Sequence, residues 1–369
     1  MKESFLQNKL DERRSMDAFR ELKLPVGAVD FCSNDYLGLS RKPLMPAGEG
    51  IFPADRRLGA HGSTGSRLLS GNSAFALELE KELACFHAAE AALMFNSGYD
   101  ANLGLLSAVV RRGDHVVYDQ LSHASLRDGI RLGFGQAYTF RHNDLADLDQ
   151  KLSRCAGGEK FVVTESVFSM DGDFAPLTEI AAICDRYSAH LVVDEAHALG
   201  VIGQKGEGLA QYLGIEQRCF ARIYTYGKAA GAHGAAVVGS ALLQNYLVNF
   251  SRPFIFTTAA APQGLLAISS AYKLFPGMDQ ERKHLQSLIM QFQQAPLKFE
   301  KLLSATPIQA VLVPGNEAVR KVAATIQRAG LDVRPILYPT IPKGGERLRI
   351  VLHSYNTSEE LGRLVNCLQ

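Results

Sequence analysis

The chain has 369 residues, 47% of them hydrophobic and 21% charged, and a formal charge of +1. That near-neutral balance gives no global field for a polyanion, so a general nucleic-acid binder is excluded. The length is enough for roughly two to three domains with a substantial core.

Met1 to Asn8 lacks an apolar run, so no secretory signal is expected and the cytoplasm is the expected location. Leu6 to Leu22 predicts an amphipathic helix with a charged Asp11-Glu12-Arg13-Arg14 face, broken by Pro25, Gly27, Pro43 and Pro46. Beyond residue 75, short apolar runs alternate with helix-sized segments such as Pro176 to Tyr187. The runs are Ala91–Phe95, His115–Tyr118, Phe161–Thr164, His190–Asp194, Arg222–Thr225 and Ala236–Gly239. Buried strands alternating with helices predict an α/β fold with a mostly parallel central sheet covered on both faces. The uncharged stretches on either side of Arg252 contain Gly, Gln and Pro262 and read as core, so no membrane span is expected. Beyond residue 275, Ala310–Val313, Val333–Leu337 and Arg347–Leu352 read as strands and Glu317–Ala329 as a helix. Thr357 and Glu360 form a capping box for a last helix. This predicts a smaller α+β domain over 276–369, joined by 1–44, and a large domain over 45–275. Cys32, Cys85, Cys155, Cys184, Cys219 and Cys367 include no C-x-x-C pair, so reduced thiols and no metal site are expected.

Ligands of α/β sheets gather at the carboxyl ends of the strands, and three strand ends here carry unusual polar groups. Asn96-Ser97-Gly98-Tyr99 opens a helix with small residues, leaving N–H groups able to hold a phosphate; a plain strand-to-helix turn fits the same residues. Asp194 ends an apolar strand, where a carboxylate is costly unless its charge is used or it serves as a cap. Lys228, in Thr225-Tyr-Gly-Lys228, stands among small residues between two apolar strands; it is either a nucleophilic amine or a loop lysine meeting solvent. Together the three suggest pyridoxal phosphate, with Lys228 as Schiff-base amine, Asp194 on the ring nitrogen and Ser97–Gly98 at the phosphate. A G-K-[ST] phosphate loop is rejected because Ala229 follows Lys228. Gly203, Gly206 and Gly208 have the wrong spacing for a dinucleotide site.

Seven segments extend this pattern: Ser33–Leu39, Gly65–Asn72, Ser122-His-Ala-Ser125, Val167–Asp173, Asp194-Glu-Ala-His197, Thr225–Lys228 and Pro339–Gly344. With them the chain resembles the α-oxoamine synthases, pyridoxal-phosphate enzymes of the aspartate-aminotransferase fold (fold type I). The resemblance implies Lys228, His123 and Asp194 as catalytic residues, His123 stacking on the cofactor ring and meeting substrate. It implies Ser169 and His197 near the phenolic oxygen, and Gly98, Tyr99 and Thr225 as cofactor-holding positions. Thr258 resembles a phosphate contact supplied by a neighbouring subunit, which implies a homodimer. Asn34 and Arg349 resemble contacts to the amino-acid substrate, with Arg347 close enough to compete for that role.

Leu10 to Arg20 resembles the biotin-pathway branch of the family, in which Arg20 and Thr340 match positions at the acyl-substrate site. An arginine there suits an acyl chain ending in a carboxylate. The expected reaction is condensation of L-alanine with a pimeloyl thioester of coenzyme A or acyl-carrier protein, with loss of CO2. Glycine C-acetyltransferase, 5-aminolevulinate synthase and a serine-using long-chain acyltransferase are the alternatives within the family. A non-catalytic partner subunit of the same fold would be expected to lose Lys228, Asp194 or His123, and all three are present. The chain departs from the family in the short stretch from Ser40 to Gly59, in the lead Gly59–Gly65, and in Ala229-Ala230-Gly231 after the lysine.

Overall fold

The computed structural model describes residues 3–22, 28–43 and 61–369. The breakers Pro25, Gly27 and Pro46, the expected boundary between residues 44 and 45, and most of the stretch from Ser40 to Gly59 lie outside the described residues. The chain forms two compact units. One comprises Met1–Tyr36, Ser169–Asp173 and Gln280–Gln369; the other comprises Leu37–Phe168 and Phe174–Asp279. Among the described residues, no helix is long and apolar enough to cross a membrane.

The larger unit is built on seven strands: β1 Ala91–Phe95, β2 His115–Asp119, β3 Gln136–Phe140, β4 Lys160–Glu165, β5 His190–Asp194, β6 Cys219–Thr225 and β7 Ala235–Gly239. Their order across the sheet is β1-β7-β6-β5-β4-β2-β3, and only β7 runs antiparallel to its neighbours. The six apolar runs form β1, β2 and β4 to β7 because each is buried on both faces. Their Val, Leu, Ile and Phe side chains pack on the helix Gly98–Val109, whose Ala101, Leu105 and Leu106 are fully enclosed. Strand β3 was not anticipated. It is an edge strand with four of five residues exposed, so Gln-Ala-Tyr-Thr-Phe carries no apolar run to announce it.

Register levels the ends of the central strands. Phe95 and Thr225 both pair with Ala235, so the segments after β1 and β6 leave the sheet at one height. Glu165 pairs with Asp194 on the neighbouring parallel strand. The carboxyl ends thus gather polar groups along one edge of the sheet.

His87 shows how tightly this unit encloses some polar groups. Its ring stacks on Tyr224 at 3.6 Å, its Nε2 lies 2.7 Å from the Tyr272 hydroxyl, and Arg222 donates to its carbonyl at 2.7 Å. Burial, reinforced by Arg222, holds the His87 imidazole well below its usual 6.5. The unfolded chain binds a proton here that the native state refuses. Stability is therefore unaffected above about 6.5 and falls as the pH drops below it. A falling melting temperature through this window, flattened in His87→Phe, is the expected result of a pH series.

In the smaller unit, β8 Ile308–Leu312, β9 Arg334–Ile336 and β10 Arg347–Val351 make an antiparallel sheet with β10 central. The helix Asn316–Arg328 follows β8. A last helix, Ser358–Asn366, starts at the expected capping box, with Glu360 N–H on Thr357 Oγ at 3.1 Å and Thr357 N–H on Glu360 Oε2 at 2.8 Å. A two-residue parallel pair, Val29–Asp30 with Leu331–Asp332, ties the amino-terminal segment into this unit.

The first helix corrects the sequence reading. It spans Ser4–Ser15 rather than reaching Leu22, buries no residue, and leaves Phe5, Leu6 and Leu10 exposed. Asp17 adopts φ +50°, a left-handed conformation that stops a helix, and its carbonyl accepts from the Arg320 guanidinium. The helix that forms is polar nearly all round, so the expected amphipathic face is not found.

Candidate active site

Ser97 caps the helix Gly98–Val109, its hydroxyl accepting from Asp100 N–H at 3.1 Å and donating to the Asp100 carboxylate at 2.8 Å. Gly98 lies directly on β6: a Cβ there would stand 2.2 Å from Thr225 Oγ1. Only glycine lets this helix start press against Thr225.

Lys228 follows β6 on a tight turn closed by Gly231 N–H on the Lys228 carbonyl at 2.8 Å and Ala232 N–H on the Tyr226 carbonyl at 2.9 Å. Gly231 has φ +58°, and a Cβ there would meet Ser40 N at 2.3 Å. Glycine at position 231 is therefore demanded by the turn. The Lys228 side chain is half-buried, and its charge reaches both His123 and Glu165.

Asp194 is buried at the end of β5. Its Oδ1 accepts from Ala196 N–H at 2.9 Å and its Oδ2 from Asn102 Nδ2 at 2.8 Å. The same Asn102 amide donates to Ser125 Oγ at 2.9 Å, and Ser125 Oγ lies 2.8 Å from His123 Nδ1. The Ser125 backbone N–H also donates to His123 Nδ1, at 3.3 Å. Nδ1 is thus an acceptor and the imidazole proton sits on Nε2. Burial holds His123 below its usual range; the Lys228 ammonium adds to this and Asp194 opposes it. His123 is therefore a neutral imidazole, linked to the Asp194 carboxylate through Ser125 and Asn102.

Glu165, buried at the end of β4, accepts the His123 backbone N–H at 2.6 Å. Burial, then the charge of Asp194, pushes its carboxyl up to about 8. His197 is buried three residues past Asp194. Tyr99 is partly exposed, its hydroxyl on Asp128. Thr258 lies beside Asn96 of its own chain, its carbonyl accepting from Asn96 Nδ2 at 2.8 Å. Both residues line a cleft with Arg67.

The remaining candidates lie in the smaller unit and form two groups. Arg349 donates from Nε to the Ser169 carbonyl at 2.6 Å and from Nη2 to Asn34 Oδ1 at 3.0 Å. Arg347, its competitor, is committed to Asp171 and to the Gly345 carbonyl. Arg20 Nη2 donates to Thr340 Oγ1 at 3.0 Å, joining two exposed residues 320 positions apart that the resemblance had singled out separately.

Sequence reasoning did not single out Asn102, Ser125 or Glu165. Ser125 stood within the quoted Ser122–Ser125 motif. Glu165 carried the same signal as Asp194, a carboxylate closing an apolar strand. Asn102 has no local signal, because its partners lie on distant segments.

The model of the aminotransferase class I and II family matches residues 26–368, and the chain belongs to that family. An 8-amino-7-oxononanoate synthase from Cellvibrio japonicus is 38% identical over 374 residues, covering 97% of this chain and 93% of the relative. A solved 8-amino-7-oxononanoate synthase from Francisella tularensis superposes with a TM-score of 0.76 at 28% identity, covering 93% of this chain and 97% of its own. A serine palmitoyltransferase from S. paucimobilis with bound PLP–myriocin aldimine gives 0.85 at 26%, covering 99% and 96%. The expected aspartate-aminotransferase-like fold is the fold observed.

The residues of the larger unit fit pyridoxal phosphate. The helix start that only Gly98 permits suits a phosphate. The buried Asp194 carboxylate, with both oxygens held by N–H donors, suits a protonated ring nitrogen. The Lys228 amine suits an aldehyde carbon.

Proposed function

We propose that this chain condenses L-alanine with a pimeloyl thioester, releasing CO2 and the free thiol and forming 8-amino-7-oxononanoate, with pyridoxal phosphate as cofactor. The hydrogen bond from Arg20 to Thr340 carries the choice of acyl group. It places a guanidinium beside a hydroxyl, a donor pair suited to a carboxylate at the far end of an acyl chain. The name and 38% identity of the Cellvibrio relative support the same reading.

Bound pyridoxal phosphate supplies an electron sink for negative charge at the amino acid's Cα. Ser97 and Gly98 would hold its phosphate, Tyr99 and Thr225 would help hold the cofactor, Ser169 and His197 would serve its phenolic oxygen, and Asp194 would pair with its ring nitrogen. His123 covers the ring as a neutral imidazole. Lys228 would anchor the cofactor, and its Nζ would serve as the base that takes the proton from alanine Cα. Arg349, oriented by Asn34 and Ser169, binds the alanine carboxylate. Arg20 and Thr340 bind the distal carboxylate of the acyl chain.

The larger unit thus supplies most of the cofactor-holding residues, and the smaller one supplies Ser169 and the substrate-binding residues. The protein works in the cytoplasm as a homodimer, each subunit lending Thr258 to its partner's phosphate, and takes its acyl group from coenzyme A or acyl-carrier protein. Purified protein given cofactor, L-alanine and pimeloyl-coenzyme A should release 8-amino-7-oxononanoate, detected by mass. Glycine, serine and palmitoyl-coenzyme A arms complete the test. Turnover of serine with palmitoyl-coenzyme A, and none of alanine, would overturn the assignment. Arg20→Ala should weaken use of the dicarboxylic acyl donor and leave a monocarboxylic one of equal length unaffected.

A further inference from the structure

Two carboxyl groups meet at the end of the central sheet, and the reaction as derived uses only one. Glu165 and Asp194 are paired in register on adjacent parallel strands, so their side chains leave the same face. Both are buried. Two full negative charges in that enclosure would repel strongly. The hydrogen bonds divide the roles. Each Asp194 oxygen receives an N–H donor, one from Ala196 and one from Asn102. Glu165 receives the single N–H of His123 on Oε1.

We propose that Glu165 is a positioning residue. It stays protonated, so that Asp194 alone bears the charge, and it fixes the His123 backbone so that the imidazole keeps its place. The inference rests on the cofactor site proposed above, but not on the choice of acyl donor. The charged and titratable groups facing Glu165 are Asp194 on β5, Lys228 after β6, and His123 and Asp119 from β2 and the turn beyond it. Burial and the two aspartates favour its neutral form; Lys228 and the His123 N–H oppose them. Glutamine keeps the shape and an acceptor oxygen without the charge, so Glu165→Gln separates positioning from ionisation.

Infrared difference spectra of wild type minus Glu165→Gln test the protonation, on full-length protein with and without cofactor. A carbonyl band of a neutral carboxylic acid should appear near neutral pH and fade as the pH rises through about 8. The His123 imidazole NMR signals should match wild type in Glu165→Gln and move in Glu165→Ala. Turnover should stay near wild type in Glu165→Gln. In Glu165→Ala kcat should fall about 10²-fold, the scale of a misplaced active-site group, with KM for alanine little changed. The absence of any acid band that Glu165→Gln removes would overturn the proposal. Equal loss of turnover in both variants would do so as well. If Glu165→Ala does not fold, the infrared band and the turnover of Glu165→Gln decide. The infrared and NMR measurements need no substrate. Failure to make product from alanine and pimeloyl-coenzyme A would therefore sink the functional reading without touching them.

Discussion

Lys228→Ala should lose turnover by about 10⁴-fold or more, because on the proposed mechanism one substitution removes both the amine assigned to anchor the cofactor and the base assigned to take the Cα proton. The turn that carries Lys228 is held by backbone bonds from Gly231 and Ala232, and these survive truncation of the side chain. The variant should therefore fold, with a circular dichroism spectrum like wild type. Wild type should keep its cofactor covalently after borohydride reduction, and Lys228→Ala should not. Lys228→Arg should fail equally, since a guanidinium does not deprotonate at working pH. Residual turnover above a tenth of wild type in Lys228→Ala would remove this lysine from the mechanism.

Two arginines on one strand should separate cleanly. Arg347→Ala should cost about 1.5 kcal/mol of stability, because it removes the charge-assisted bond between the buried Arg347 guanidinium and the half-buried Asp171 carboxylate. Urea unfolding at fixed pH measures this. Arg349→Ala should cost less stability and instead lower kcat/KM for alanine about 10²-fold, the scale of a lost charge-assisted contact. Arg349 bonds to neutral oxygens, those of Ser169, Asn34 and Tyr36, so its charge remains available to a carboxylate. The opposite pattern, with Arg347→Ala raising KM and Arg349→Ala merely unfolding, would reverse the assignment.

The legible elements were those whose local pattern matches their burial. Strands β1, β2 and β4 to β7 carry apolar runs because both their faces are covered, and the capping box at Thr357 and Glu360 is a purely local motif. Strand β3 and the pairing of Val29–Asp30 with Leu331–Asp332 were not legible. The first is an exposed edge, and the second joins short segments about 300 residues apart. The amino-terminal helix was read too long because apolar periodicity extends past Asp17, where the backbone turns left-handed.

By itself, the sequence determined the chemistry-bearing residue types: a lysine among small residues, an aspartate closing an apolar strand, and a serine–glycine helix start. Their motifs also carried the family. Each of these signals is local, so composition and spacing suffice to show it. Only the tertiary structure decided how these groups are electrically and sterically set. It linked Asp194 to His123 through Asn102 and Ser125, placed Glu165 beside Asp194, and gave Arg347 to Asp171 while leaving Arg349 on neutral partners. The physical reason is that protonation and orientation depend on burial and on partners far away in the chain, and neither is written in the spacing of a motif.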